Sequence, residues 1–506
     1  MKKRRISILL IGIMIISSLV GCNTSDSDNS NNDDNSNGSK ESLSVYIFAQ
    51  EHEQDMYKEV IEKFEEDNNV TVDFEVAGDQ YWTELEAALT AGTEPDVFYL
   101  NVADVKKRVW ADKVTPINEL ISEDSISEIW PEALNLYRYD KENDVLGEGN
   151  IYALPKDFSA VAMTVNKAIL NKRENEIQEL VDDGTLPFYP EIDEDGNLPV
   201  YTFDEFAQLC KVLTFDDQTL PETAGDTQVY GTHLWEEFTL QPFVWGAGGS
   251  YLNDEHDEVL FNSPEFIEGY EGFMEIVDQG GSGLSTDETT GYLKFLNGRV
   301  AYFPCGTWDV GAFQAIEDDE EVNPNKEWFD YDLAPWPISN DYADAPIEER
   351  QDKWFGRIDS VGYAVSNSSD NKELAAKLAY VLSADEEVQR FLAQNGGQVP
   401  NITSLAETEY VEDDENYYPE NRQIFLDILS VKNGHRIETS YTFNDVWHIE
   451  GFISGVDNVW SYYEGIDKGV EPMSVEEYCN TIQDEAQMLL DQAIEDEKAI
   501  KPDDIG

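Results

Sequence analysis

The chain has five histidines, at 52, 233, 256, 435 and 448, and none of them sits in a His-Glu-x-x-His pair. It has no Gly-x-Ser-x-Gly nucleophile turn either, and Gly246-Ala-Gly-Gly249 lacks the Lys-Ser/Thr that completes a phosphate cradle. With these catalytic signatures missing, the residues that stand out are suited to recognition: indole rings beside planar polar groups. Trp308 and Asp309 follow a Gly-Thr turn, and Trp245 precedes a Gly-rich one. Arg357 and Asp359 share "FGRIDSVGY", and Asp157 follows "YALPK". Gln50 and Glu51 close one apolar strand-like run, and Asn101 closes another. Rings supply apolar faces, while carboxylates, amides and guanidinium fix hydrogen bonds at set angles. With 105 Asp and Glu in the chain, any single acid is weak evidence; Arg357, one of 33 basic residues, is more telling. Asp309 has a second reading as a cap for the helix opening at Val310. Arg357 with Asp359 has a second reading as a structural ion pair.

One segment has partial metal-loop spacing. Glu191, Asp193, Asp195 and Gly196 match the opening of a calcium loop, but its twelfth position is Thr202, where Glu is needed. The expectation is therefore either a structural calcium or an ordinary Asp-Gly-Asn turn, the turn being the simpler reading. No other cofactor is expected.

The elements that must hold these residues alternate between strand and helix. "LSVYIF" reads as a buried strand, and Met56, Val60, Ile61 and Phe64 then recur at helical spacing. "VTVDFEV" alternates apolar and polar, "TELEAALTAG" reads as a helix ended by Gly92, and "DVFYL" is a short buried strand. This is the rhythm of a parallel α/β sheet. A second set follows in "AVAMTVN", a helix from Thr202, "RVAYFPC", "YDLAPWP" and "VGYAVS". Thr202 with Glu205 and Ser474 with Glu477 have capping-box spacing. Ser383 is expected to cap the helix that ends at Gly396-Gly397.

Lys2, Lys3, Arg4 and Arg5 precede an apolar run, Ile6 to Val20, that is shorter than the ~20 residues a bilayer span needs. The run ends in Leu19-Val20-Gly21-Cys22, which resembles the lipobox of bacterial lipoproteins and implies cleavage before Cys22 and lipidation of its sulfur. Residues 23–41 are nearly all polar and read as a flexible tether with a reach of ~25 Å. The remaining length suffices for two sizeable domains. Cys210, Cys305 and Cys479 allow at most one bridge, and buried, inert thiols are expected for Cys210 and Cys479. A net charge of −72, spread along the chain, argues against nucleic-acid partners and against the folded body lying on an anionic membrane. The acids read as a surface adapted to a saline or alkaline exterior.

Four stretches in order carry a family resemblance: "LSVYIFAQEHEQDMYKEVIEKFEEDNNVTVDFEV" with "TAGTEPDVFYLN"; "GNIYALPKDFSAVAMTVNKAIL"; "FLNGRVAYFPCGTWDVGAF"; and "DSVGYAVSNSSDNKELAAKLAYVLSADEEVQRFLAQNGGQVP". Together they resemble the substrate-binding lipoproteins of ABC sugar importers, the family that includes maltose-binding protein. The resemblance implies a bilobal, type II periplasmic-binding-protein-like α/β fold, with two discontinuous lobes that close about a hinge. The expected division is a signal peptide over 1–21 and a lipidated Cys22 with tether over 22–42. An N-terminal lobe takes 43–157 plus 338–397, and a C-terminal lobe 158–337 plus 398–506. Chain crossings are expected at 155–160, 336–339 and 396–402.

The resemblance further implies a monomer, lipid-anchored on the outer face of the cytoplasmic membrane, that delivers a mono- or oligosaccharide to a permease. By the same resemblance Trp308 is a sugar-stacking platform, Trp245 a second ring, and Asp157 a polar group between the lobes. A saccharide has a C–H face for rings and hydroxyls that each need a partner, so these residue types suit it. Gln50, Glu51 and Asn101 are placed by geometry, since ligands bind beyond the carboxyl ends of strands in open α/β sheets. Alternatives are a secreted glycan-processing enzyme with two cleft carboxylates, or a lipoprotein binding peptide or another solute.

Overall fold

The computed structural model describes residues 41–502, apart from 50, 79, 221–226, 234–235, 283–287, 320–322, 324–325, 414, 431 and 436–456. Cys22 and the tether therefore lie outside the described residues. Two sheets form from strands β1 (Ser42–Phe48), β2 (Thr71–Ala77), β3 (Val97–Asn101), β4 (Ala153–Pro155), β5 (Ser159–Asn166), β6 (Phe215–Asp216), β7 (Gln228–Thr232), β8 (Val300–Gly306), β9 (Tyr331–Ala334), β10 (Gly356–Asp359), β11 (Val361–Val365) and β12 (Gly434–His435).

The first sheet has the order β2-β1-β3-β11-β4. Its first three strands are parallel, with the helices Glu51–Asn68 and Tyr81–Ala91 as crossovers. The alternation read in the sequence is visible in β2, where Val72 is buried between the exposed Thr71 and Asp73. β1 and β3 bury Val45, Ile47, Val97 and Phe98 almost completely. The second sheet has the order β12-β10-β5-β8-β7-β6, with β9 also paired to β5. β5 is buried along its whole length, as expected of a central strand with neighbours on both edges.

Helix starts follow local chemistry. Thr202 with Glu205 opens Phe203–Val212, and Ser474 with Glu477 opens Val475–Ile500, both as capping boxes. Ser383 does not cap as expected. It lies inside the helix Lys372–Ala384, and Asp385 instead caps Glu386–Gly396 by accepting from Val388 N at 3.1 Å. A carboxylate two residues later wins the position, and Gly397, at φ 76°, ends the helix in the left-handed region.

The chain leaves the first sheet after Pro155 and enters the second at Ser159. Its return is not at 336–339. Trp336 Nε1 donates to Val161 O at 3.2 Å, Ile338 N donates to Tyr201 O at 2.9 Å, and β10 pairs with β5 as far as Asp359. Only at Ser360 does the chain pass to β11 in the first sheet, so β10, assigned by sequence to the first lobe, pairs in the second, and Ile338 is bonded to Tyr201 on that same side. Only "VGYAVS" reads as a strand in the sequence, and neither a Pro nor an Asn-Gly or Asp-Gly turn marks the change of sheet at Ser360.

Two buried polar side chains fasten these passages. Ser360 Oγ donates to Asp157 O at 2.5 Å and accepts from the Tyr137 hydroxyl at 2.8 Å. Asn401 Nδ2 lies 2.9, 3.1 and 3.2 Å from the carbonyls of Pro155, Lys156 and Ser383. A buried carbonyl without a donor is costly, which explains why amide and hydroxyl groups occupy the bend. The last helix begins against the Val259 backbone through Gln483 and Gln487, and its far end meets Lys106 and Asp144 through Glu497 and Lys501. Among the described residues no helix is long and apolar enough to cross a membrane.

Candidate ligand-binding cleft

A cavity of about 230 Å³ opens where the two sheets meet. Phe48 and Asn101, at the carboxyl ends of β1 and β3, form part of one wall with Trp82, from the start of the helix Tyr81–Ala91. Such strand ends are where open α/β sheets bind ligands. Trp82 is 42 % exposed, a large ring left uncovered by the core. Trp308 and Asp359 face them from the second sheet, and the passage Lys156–Ser159 closes the floor.

Trp308 owes its place to Gly306. β8 ends there, and a short 3-10 turn over Thr307–Asp309 folds the indole back over the glycine. A Cβ at 306 would stand 2.2 Å from the Trp308 Cε2 atom, so the close approach needs glycine. Asp309 fastens the same turn by accepting from Gly306 N at 3.0 Å; it is buried and absent from the described cavity lining. The expected cap of the helix opening at Val310 is not made: Asp309 has no side-chain cap bond there, and its carboxylate closes the turn before the helix instead. Asn101 lines the cavity while its Oδ1 accepts from Ala103 N at 2.9 Å.

The floor is charged. Lys156 Nζ lies 3.2 Å from Glu53 Oε1 and 2.9 Å from Asp157 Oδ2, and each of the three residues is about 5–6 % exposed. Burial lowers the affinity of this ammonium for its proton, but Asp157 and Glu53 outweigh that and hold it well above the usual lysine value. Tyr99 lines the cavity beside this trio, and burial pushes its hydroxyl far up, so it acts as a neutral group. On the other wall Arg357 pairs with Asp359 at 2.9 Å; Asp359 reaches the cavity and Arg357 is buried behind it.

Of the residues singled out in the sequence, Asn101, Asp157, Trp308 and Asp359 thus line one cavity, with Arg357 in contact through Asp359. Trp245 does not join them. It is 5 % exposed on the helix Glu236–Gly246, packed 5.5 Å from His435, and lies outside the described lining. An indole before a glycine turn reads alike in sequence whether it faces a cleft or a core. Gln50 lies outside the described residues, and Glu51 is described only as the first residue of its helix.

The lining residues that sequence reasoning missed include Glu53, Trp82, Tyr99 and Lys156, together with Phe48, Ser159, Ser360 and Val361. Lys156 and Glu53 had a usable signal: one adjoins Asp157 in the crossing, and the other lies in the first helical turn after β1.

Asp193 behaves as a turn residue. Its Oδ1 accepts from Asp195 N at 2.9 Å and Asn197 N at 2.8 Å, and its Oδ2 from Asn197 Nδ2 at 2.9 Å. These bonds, led by the one from the Asn197 side chain, hold the carboxyl below its ordinary value. Gly196 takes φ 86° within that turn, as an Asp-Gly-Asn turn requires. Glu191 lines a separate cavity on the second sheet's side of the fold. Among the described residues no group of three His, Cys, Asp or Glu is arranged to hold a metal ion. The three described thiols, Cys210, Cys305 and Cys479, are free and buried, and burial pushes all three up.

Comparison with known proteins agrees with this architecture. The chain is 23 % identical over 339 residues to the maltotriose-binding protein of Pyrococcus abyssi, covering 66 % of this chain and 60 % of that one. The chain thus spans about 60 % of the length of the curated relative it matches. Among solved structures, an ABC substrate-binding protein of Listeria monocytogenes in complex with cycloalternan superposes with a TM-score of 0.65 at 21 % identity, covering 89 % of this chain and 99 % of that one. A solute-binding protein of Thermotoga lettingae bound with alpha-D-tagatose gives 0.63 at 20 % identity, covering 89 % and 100 %. These likenesses show the bilobal α/β fold. The profile of one family, bacterial extracellular solute-binding protein, matches residues 59–419, most of the folded chain. This chain belongs to the family of bacterial extracellular solute-binding proteins.

Proposed function

We propose that the chain is the substrate-binding component of an ABC carbohydrate importer, which captures a mono- or oligosaccharide outside the cell and delivers it to a membrane permease. The observation that carries this reading is the cavity between the sheets, where Trp308 and Trp82 stand over a buried floor of Glu53, Lys156 and Asp157. Rings take the C–H face of a sugar, and the charged floor orders groups that donate to and accept from its hydroxyls. Family membership and the sugars named for similar proteins support the same reading.

In this reading the protein is a binder without catalysis and without a cofactor, and it works as a monomer. Cys22 carries a lipid that holds it on the outer face of the cytoplasmic membrane, and residues 23–41 act as its tether. The lobes hinge where the chain passes between sheets, at 156–158, at Ser360 and beside Asn401. Closure then brings Trp308 and Asp359 towards Phe48, Trp82 and Asn101 around the ligand.

Calorimetry on the soluble chain against glucose, galactose, maltose, maltotriose and cyclic α-glucans tests this. Saturable binding by at least one sugar, with the sugar recovered intact, is the expected result. No heat of binding across the panel, or conversion of the sugar to products, would overturn it.

A further inference from the structure

The charges around the cavity do not cancel. Among the described lining residues, Glu53, Asp157 and Asp359 are acids and Lys156 is the one base. Arg357, directly behind Asp359, brings the group to three carboxylates against two cations, and both cations already face carboxylates at 2.9–3.2 Å. Lys156, Glu53, Asp157 and Arg357 are all nearly excluded from water, so their interactions with a ligand are weakly screened. The other described lining residues, all aromatic, apolar or uncharged polar, bring no charge that would offset a second anion.

From this excess of one negative charge, in a cluster where only Asp359 is partly exposed, we infer that the site selects its saccharide by charge, accepting neutral and amino sugars and refusing uronates and sugar phosphates. The inference rests on the carbohydrate reading above and adds the ligand's charge class to it. A sugar with one ammonium group brings the five-residue cluster to neutrality. A uronate doubles its excess charge beside groups that are themselves nearly excluded from water, and rings that stack on either sugar equally well cannot repay that cost. The discrimination belongs to Glu53, Asp157 and Asp359, while Trp308 and Trp82 supply affinity common to all three classes.

The test is calorimetry on the soluble chain with matched probes. The sets are glucose, glucosamine and glucuronate; galactose, galactosamine and galacturonate; and maltotriose, deacetylated chitotriose and trigalacturonate. In any set that binds, the amine is expected to equal or exceed the neutral sugar, and the anion to bind ~100-fold or more weakly. The gap should persist from 0.15 to 0.5 M salt, because the field of the −72 surface is screened over that range and the buried charges are not. Glu53→Gln, or Asp157→Asn if the first fails to fold, should narrow the neutral-to-anion gap by ~10-fold or more. A uronate binding within tenfold of its neutral partner, or a gap unchanged in both folded variants, overturns the inference and leaves the carbohydrate reading standing. If no sugar of any class binds, the carbohydrate reading falls, and this inference with it.

Discussion

Replacing Trp308 by alanine should weaken saccharide binding by ~10- to 100-fold without unfolding the protein. The indole is half-buried already, resting on Gly306 with its remaining surface at the cavity. Stacking a sugar on that surface removes on the order of 50–100 Å² of apolar area from water, which with the ring contact is worth ~1–3 kcal/mol. Because the ring sits at a strand end, outside the close-packed interior of the sheet, its removal should leave the melting temperature nearly unchanged. Gly306→Ala supplies an independent arm. Its Cβ would lie 2.2 Å from Cε2 and 2.3 Å from Cζ2, so the ring must swing away, and affinity should fall although Trp308 is intact. Trp308→Phe should keep part of the binding. The assay is titration calorimetry on each variant, with circular dichroism and thermal melts as controls for folding. A natively folded Trp308→Ala whose Kd stays within twofold of the parent would refute the argument that this ring is the sugar platform.

Three further perturbations follow from named contacts. Asn401→Ala removes the donor to the carbonyls of Pro155, Lys156 and Ser383 and should cost ~2–4 kcal/mol of stability, read from denaturant unfolding; a loss under ~0.5 kcal/mol would contradict the fastening role. Asp332 is raised by burial to about 6, so the folded state holds its proton more tightly than the unfolded chain, and stability is lost as pH rises from about 4 through 6. Asp332→Asn should therefore stabilise by up to ~3 kcal/mol at pH 8 and have little effect at pH 4, and an equal effect at both would contradict it. The native protein should be inert to a thiol reagent because Cys210, Cys305 and Cys479 are buried. In denaturant the membrane-bound form should expose only those three thiols, whereas a fourth would mean that Cys22 carries no lipid.

Much of the fold was legible because strand and helix periods are local properties. The alternation in 71–77 and the capping boxes at Thr202 and Ser474 each depend on neighbours a few residues away. Asn101 was found for a related reason: once "DVFYL" is a strand, its carboxyl end must face the site. What was not legible depends on long-range pairing. β10 and β11 are separated only by Ser360 yet join different sheets, a decision made by β5 and β3 far away in sequence. Trp245 and Trp308 both stand beside glycine turns, but one is covered by His435 and the other is left at a cavity. Glu53 was hidden among many acids, and only its 3.2 Å contact with Lys156, 103 residues away, sets it apart.

On the carbohydrate reading, two lobes close on a saccharide gripped at Trp308. Small-angle scattering of the soluble chain, with and without a saturating amount of the tightest-binding sugar of the panel, tests it most directly. A smaller radius of gyration with sugar, absent in Trp308→Ala at the same sugar concentration, is the predicted result. Identical profiles for the free and fully sugar-loaded protein would contradict it.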